Sequence, residues 1–194
     1  MTVAASITKL YTAEEYLALE VESEIRSEFR NGEIVEMTGG TPAHNEITAT
    51  FIFLLKSALR KQPYSIFVTD QRLWLPEANR YTYPDVMVTP RPAELQPNRQ
   101  DTVMNPILIA ETLSSSTEAY DRGDKFTYYR TVEAFQEYVL IEQYRPHVEH
   151  YVKQGENEWL FRDYSGLESS FVLSSVGVEI ALADLYEAVE FDEV

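Results

Sequence analysis

Pro106-Ile-Leu-Ile-Ala110-Glu-Thr-Leu113 is followed at once by Ser114-Ser-Ser-Thr117, then by Asp121-Arg-Gly-Asp124-Lys125-Phe-Thr-Tyr-Tyr129. The first segment opens as a continuous apolar run, the pattern of a strand buried on both faces. The hydroxyl residues after it are N-caps for a helix that runs to about Arg130. Glu137-Tyr-Val-Leu-Ile141 then supplies a second buried-strand candidate. This succession of strand, turn, helix and strand predicts an α/β (α+β) fold with a mixed central sheet flanked by helices.

Working outward toward the N-terminus, Thr12-Ala-Glu-Glu15 reads as a capping box that opens a short helix through Tyr16, Leu17 and Leu19. Glu20 to Glu28 is charge-rich, and Asn31-Gly32 is a turn signal before the strand-like Glu33-Ile-Val-Glu-Met37. Gly39-Gly40 ends that strand. Thr41-Pro42 then supplies an N-cap and a proline at the first helical position. Ile47, Phe51, Leu54, Leu55, Ala58 and Leu59 recur at helical spacing, so the longest helix is expected here, ending near Pro63. A β-rich stretch follows: Ser65 to Asp70 and Arg72 to Leu75 lead through a turn at Pro76 to Asn79 into Tyr81 to Val88, within which Pro84 starts a strand. The prolines of Thr89 to Pro97 place that segment in an exposed loop.

On the C-terminal side, Val148 to Lys153 and Trp159 to Tyr164 flank Gly155-Glu-Asn157 and predict a β-hairpin extension. A weaker strand near Val178-Glu-Ile180 and a short acidic amphipathic end, Ala181 to Val189, close the chain. No internal repeat or linker interrupts the pattern. One domain over 1–194 is expected, with its core at about 11–151.

The 194 residues are 44% hydrophobic and 12% aromatic, enough for a packed core rather than a disordered segment. Cysteine is absent, which excludes disulfide frameworks, thiolate metal sites and cysteine nucleophiles. No apolar run reaches the ~18 residues of a membrane span. The opening MTVAASITKL lacks a secretory apolar region, so a soluble cytoplasmic protein is expected. Thirty-two acids against sixteen bases give a formal charge of −16, a field that repels polyanions, so contact with nucleic acid must be arranged locally.

Phosphate-binding, dinucleotide-binding, serine-hydrolase and zinc-protease signatures are all missing. His147 and His150 sit three apart in a strand, on opposite faces, and are read as surface residues rather than shared metal ligands. Two carboxylates stand out. Asp85 follows Tyr83-Pro84 at the mouth of a strand, and Glu111 interrupts an apolar strand on the face of Ile109 and Leu113. A buried carboxylate must be protonated, paired with a cation or bound to metal. A salt bridge, or a strand end reaching solvent, would also explain Glu111. Asp121, Lys125 and Tyr129 lie at i, i+4 and i+8 on one helical stripe. That stripe is either a solvated face or, given the short turn, a source of a lysine for the Asp85–Glu111 site. Aspartate, glutamate and lysine at a strand end suit metal-dependent phosphodiester hydrolysis, with Mg²⁺ or Mn²⁺ on hard oxygen ligands.

Pro84-Asp85, Glu111-Thr-Leu113-Ser114, Asp121-Arg-Gly-Asp-Lys125 and Glu137-Tyr-Val-Leu-Ile141, in this order and spacing, resemble a bacterial "putative restriction endonuclease" family of the PD-(D/E)XK nuclease superfamily. Ser27-Glu28-Phe-Arg-Asn-Gly-Glu33-Ile-Val and the helix start Thr41-Pro-Ala-His44 are also similar, so the resemblance spans Tyr11 to Tyr151. It implies a restriction-endonuclease-like fold and a Mg²⁺-dependent DNA endonuclease. Asp85 and Glu111 would be the metal-binding carboxylates, and the Thr112 backbone carbonyl a further ligand. Leu113 stands where the superfamily carries its lysine; Lys125 on the following helix takes that role, positioning or activating the attacking water. Val139 likewise stands where relatives often have tryptophan.

Four residues are expected to support the site. Glu28 is either a further metal or water ligand or an ion-pair partner of Arg26 or Arg30. His44 either touches phosphate or merely caps its helix. Asp121 and Tyr129 would hold Lys125 in place. The competing function is a non-catalytic interaction protein that retains the fold, favoured by the acidic charge; a hydrolase of small phosphorylated substrates is a third. Bases at Lys56, Arg60 and Lys61, and at Arg72 and Arg80, are either a DNA-facing surface or ordinary solvated faces. DNA is the expected partner, and a homodimer is implied because two sites cut two strands.

Overall fold

The computed structural model describes residues 9–191, so the reading of the first residues as free of a secretory leader lies outside them. The Thr12 capping box is present, opening α1 (Ala13–Glu22). β1 (Ser27–Arg30) and β2 (Glu33–Glu36) form a hairpin across Asn31-Gly32, both at positive φ. The charge-rich segment thus ends in a strand that charge alone conceals. Thr41 caps α2 (Pro42–Ala58), accepting from the His44 N–H, with Pro42 in the first turn.

The stretch Tyr81 to Val88 carries parts of two strands in two different sheets, the second beginning after Pro84 as the sequence suggests. β3 (Tyr64–Val68) and β4 (Arg72–Leu75) fold back on β5 (Arg80–Thr82) and β6 (Val86–Pro90), β4 against β5 and β3 against β6. The break falls at Tyr83-Pro84-Asp85. Pro84 has no N–H for a ladder, so the chain changes sheets there. The outer half of this bent hairpin joins β1, β2 and β7 (Thr102–Val103) in the order β2-β1-β5-β4-β7. The inner half enters a six-stranded sheet with β8 (Leu108–Leu113), β9 (Glu137–Glu142), β10 (His147–Gly155) and β11 (Glu158–Ser165). Its order is β11-β10-β9-β8-β6-β3, mixed because β8 and β9 are parallel.

The parallel crossover is helical. α3 (Glu118–Tyr120) passes through a π-helical turn at Asp121–Lys125 into α4 (Phe126–Tyr129). This segment, with Leu73 and Leu75, covers the face of the large sheet bearing Ile109, Leu113, Tyr138 and Leu140. The other face packs Leu108, Ala110, Val139 and Ile141 against α2 through Ile47, Phe51 and Leu55. β12 (Ser170–Leu173), β13 (Val178–Ala181) and α5 (Leu182–Leu185) complete that second layer. The mixed sheet, flanking helices and hairpin extension are therefore present. The smaller five-stranded sheet, and β12, are additional to the expected single sheet.

Two expectations change. His147 and His150 are buried, not surface residues. They do face apart: His147 lies beside Asp163 at 3.4 Å, while His150 Nε2 meets Glu137 Oε1 at 2.7 Å. Glu137 also accepts from the Ser174 and Ser175 N–H groups, tying β9 and β10 to the turn between β12 and β13. Arg72 is not on a solvated face. It is buried, donating to the Tyr83 hydroxyl at 2.8 Å and pairing with Asp101 at 3.1 Å.

Candidate active site

Asp85 sits at the corner where the bent hairpin leaves the small sheet for the large one, and Glu111 lies on the neighbouring strand β8. Backbone and side chain interlock between them. The Thr112 N–H donates to Asp85 Oδ2 at 2.9 Å, and the Asp85 N–H donates to Glu111 Oε2 at 3.2 Å. Both carboxylates are buried at the floor of a cleft of about 670 Å³. Its walls are the β1–β2 hairpin, the start of α2, and the Ser114-to-Thr117 turn.

Period two places Glu111 on the face covered by the crossover helix, and that helix delivers the next two groups. Lys125 Nζ stands 3.1 Å from Glu111 Oε1 and 2.9 Å from Asp121 Oδ1. The Tyr129 hydroxyl donates to Glu111 Oε1 at 2.7 Å. Lys125 thus reaches back to the strand end, and Asp121 holds it. Tyr129 holds Glu111 rather than Lys125. The π-helical turn carries both Asp121 and Lys125, and π-turns of this kind recur at functional sites. Leu113 is packed into the apolar layer beneath, so the position two residues after Glu111 offers no cation.

His44, one turn into α2, brings Nε2 to 3.2 Å from Asp85 Oδ2. Glu28 is buried in the same cleft. It accepts from the Thr82 hydroxyl on one oxygen and from Arg30 Nε and Nη2 on the other, at 2.9 and 2.7 Å. The ion pair with Arg30 forms, and Glu28 also lines the cleft. The cleft therefore gathers Asp85, Glu111, Lys125, Glu28, His44 and Asp121. Arg30, expected only as a candidate ion-pair partner of Glu28, also lines it, as does Tyr120, which the sequence did not single out. A hairpin reading of Ser27 to Glu36 would have found Arg30, since Glu28 and Arg30 share a strand face.

The electrostatics follow from burial. Burial drives the Glu111 carboxyl upward; Lys125 opposes it, Asp85 and Asp121 add to it, and the outcome is about 8. Burial works against the Lys125 ammonium, yet Glu111, Glu28 and Asp121 hold its pKa well above the usual lysine value. Burial likewise opposes charge on His44, but Asp85 outweighs it and raises the ring's pKa. For Glu28 the burial cost is overcome by Lys125, Thr82 and Arg30, which lower its pKa.

Asp85 and Glu111, side by side, resist carrying charge together, and a divalent cation relieves that conflict. The donor set is hard oxygen. No group of three His, Cys, Asp or Glu side chains capable of holding a metal occurs among the described residues. An ion here would rest on two carboxylates, a backbone carbonyl, water and substrate, the coordination that Mg²⁺ accepts. Within those limits the residues fit Mg²⁺ or Mn²⁺. Among the described residues, no helix is long and apolar enough to cross a membrane.

Residues 13–183 match the family model Uma2, described as "Putative restriction endonuclease". Two uncharacterized proteins of Synechocystis sp. are similar. One, sll1609, is 43% identical over 169 residues, covering 85% of this chain and 96% of that protein. The other, slr1290, is 32% identical over 178 residues, covering 92% of each. The fold is similar to a crystal structure described as a "putative nuclease belonging to DUF820" from Anabaena variabilis. The TM-score is 0.73 at 18% identity, over 91% of this chain and 98% of that one.

Proposed function

Because the chain belongs to the Uma2 "Putative restriction endonuclease" family, we propose that it is a metal-dependent endonuclease hydrolysing DNA phosphodiester bonds. One observation carries the reading: Asp85, Glu111 and Lys125 meet within hydrogen-bonding range at the floor of one open cleft. They come from a sheet corner, a central strand and a crossover helix.

Asp85, Glu111 and the Thr112 carbonyl would hold Mg²⁺ or Mn²⁺. In a strand the N–H and C=O of one residue face the same edge, so the Thr112 carbonyl turns with its N–H toward Asp85. Bound there, the ion supplies Lewis-acid polarisation of a phosphate oxygen. Lys125 stays protonated, donating to Glu111 Oε1 and ion-paired with Asp121, with N–H groups left over. It orients the attacking water and offsets charge gathering on the phosphoryl oxygens, rather than accepting the water's proton. Tyr129 fixes the Glu111 carboxylate and His44 flanks Asp85. In-line attack of water on phosphorus would break the P–O3′ bond, leaving a 5′-phosphate and a 3′-hydroxyl. The proton lost by the water is balanced by one gained from solvent at the 3′-oxygen. Cutting both strands takes two sites, so the reading includes a homodimer, acting in the cytoplasm.

The test is cleavage of plasmid DNA with Mg²⁺, with Mn²⁺ and with chelator, alongside calorimetric titration of each ion. Lys125→Met is expected to slow cleavage about 10²-fold. It should not weaken Mn²⁺ binding, because losing a cation leaves the carboxylates no less attractive to the ion. The charge of −16 favours the second reading, a non-catalytic interaction protein. Absence of metal binding and of cleavage, even with DNA present, would establish that one.

A further inference from the structure

Resting on the nucleolytic reading, this inference concerns how the cleft grips the backbone of its substrate. A phosphodiester entering the cleft meets the carboxyl groups of Glu28, Glu36, Asp85, Glu111 and Asp121. Three basic side chains stand against them: Arg30, His44 and Lys125. Lys125 is held between Glu111 and Asp121, and His44 lies against Asp85.

Arg30 differs from both. Its Nε and Nη2 donate to a single Glu28 oxygen, at 2.9 and 2.7 Å, while Nη1 has no hydrogen-bond partner among the described residues. Two of the five guanidinium N–H groups are therefore held and three remain for an anion. The side chain is 28% exposed, whereas that of Lys125 is 12% exposed. Its guanidinium carbon lies 4.0 Å from the Tyr120 ring centroid, stacked on the aromatic face. Glu28 is itself buried and anchored on its other oxygen by Thr82, so the fork is oriented from behind before any ligand arrives. Lys125 Nζ is 5.7 Å from the same Tyr120 centroid, which puts Arg30 beside the reacting end of the cleft.

We propose that Arg30 is a phosphate-binding residue, its open guanidinium edge donating to non-bridging oxygens of a DNA phosphodiester, with Glu28 and Tyr120 as the positioning residues that preset it. The planar fork matches two phosphate oxygens at once, and its side-chain ordering is already met by the Glu28 and Tyr120 contacts. In an acidic protein this gives one local point of attraction where the general field repels.

The experiment measures anisotropy of a fluorescein-labelled duplex oligonucleotide over a range of salt, with Mg²⁺, in the Asp85→Ala background to prevent cleavage. Arg30→Ala is expected to weaken binding about tenfold. It should also reduce the slope of log affinity against log salt by about one. Arg30→Lys should keep that slope while losing affinity, because the charge stays and the fork is lost. In the otherwise wild-type enzyme, Arg30→Lys should raise KM more than it lowers kcat. Thermal melts check folding, and if Arg30→Ala fails to fold, Arg30→Lys decides. Affinity, salt slope and cleavage unchanged in both variants would overturn the inference and leave the nuclease reading standing. Arg30-dependent binding by a protein that cuts no DNA would support the inference and overturn the nuclease reading. No binding at low salt by the wild type or its Asp85→Ala form overturns both.

Discussion

Asp85→Ala is expected to lower metal-dependent DNA cleavage by on the order of 10³-fold or more while the protein remains folded. Asp85 supplies one of only two carboxylates in the proposed metal set, and its backbone N–H orients the other. Alanine removes the side-chain oxygens and keeps the N–H, so the variant separates metal holding from scaffold. The structural cost falls on the Thr112 N–H, which donates to Asp85 Oδ2 at 2.9 Å, and on His44 Nε2, 3.2 Å from the same oxygen, both of which would lose that partner. Leaving a buried N–H unpaired costs about 1–3 kcal/mol. An opposing effect reduces the net change: the Asp85 charge is one cause of the raised Glu111 pKa, and its removal lets Glu111 ionise more readily. A melt within a few degrees of wild type, with cleavage gone, is the expected pair of results. Asp85→Asn, which retains an acceptor for Thr112, should melt closer still to wild type and also fail to cut. Cleavage retained in either variant removes Asp85 from the chemistry.

Glu137→Ala is expected to destabilise the fold by about 3–5 kcal/mol, because it leaves polar partners buried without a carboxylate. Glu137 and His150 are both fully enclosed, with 0% exposure, and their atoms meet at 2.7 Å. The same carboxylate accepts the Ser174 and Ser175 N–H groups at 2.8 and 2.9 Å. Four donors, the His150 ring, the Ser174 and Ser175 N–H groups and the Ser175 hydroxyl, lose their acceptor, and the fully buried His150, beside Phe171, is out of reach of water that could replace it. For a chain of this size the loss corresponds to a fall in Tm of about 10 °C or more. Calorimetric melting reads it directly. Combining Glu137→Ala with His150→Leu should recover part of the loss, since the double variant no longer buries a polar ring beside the vacancy. A Glu137→Ala protein that melts with wild type would show that this cluster contributes nothing net.

The local elements were legible because their signals are local. The Thr12 and Thr41 caps, the helical spacing of Ile47, Phe51 and Leu55, and the hairpin around Gly155-Glu-Asn157 each depend on residues within a turn or two. Asp85, Glu111 and Lys125 were legible as candidates for a related reason. A carboxylate in an apolar strand, and a lysine on the helix after a short turn, are anomalies visible without a partner. The family resemblance joined them in order. Within Tyr81 to Val88, Pro84 marks a strand start locally, but only the partners, β4 and β1 on one side and β3 and β8 on the other, place the two halves in different sheets. His150 and Arg72 were misread because polarity argues for exposure, whereas Glu137 and the Tyr83 hydroxyl satisfy them inside.

The sequence by itself determined the main strands and helices of the core, the starts of the first two helices, the exclusion of thiol chemistry and the residue types available for an oxygen-ligand site. Those properties depend on near neighbours and composition. Tertiary structure decided that Pro84 turns the chain between two sheets and so sets Asp85 at a corner against Glu111. It decided that Lys125 reaches the strand end across 14 residues of chain, and that Glu28 faces Arg30 and Thr82. Each of these is a pairing between segments whose local patterns are complete without it. The energy that selects one pairing, through burial of an apolar layer and satisfaction of every buried donor and acceptor, belongs to the assembled molecule.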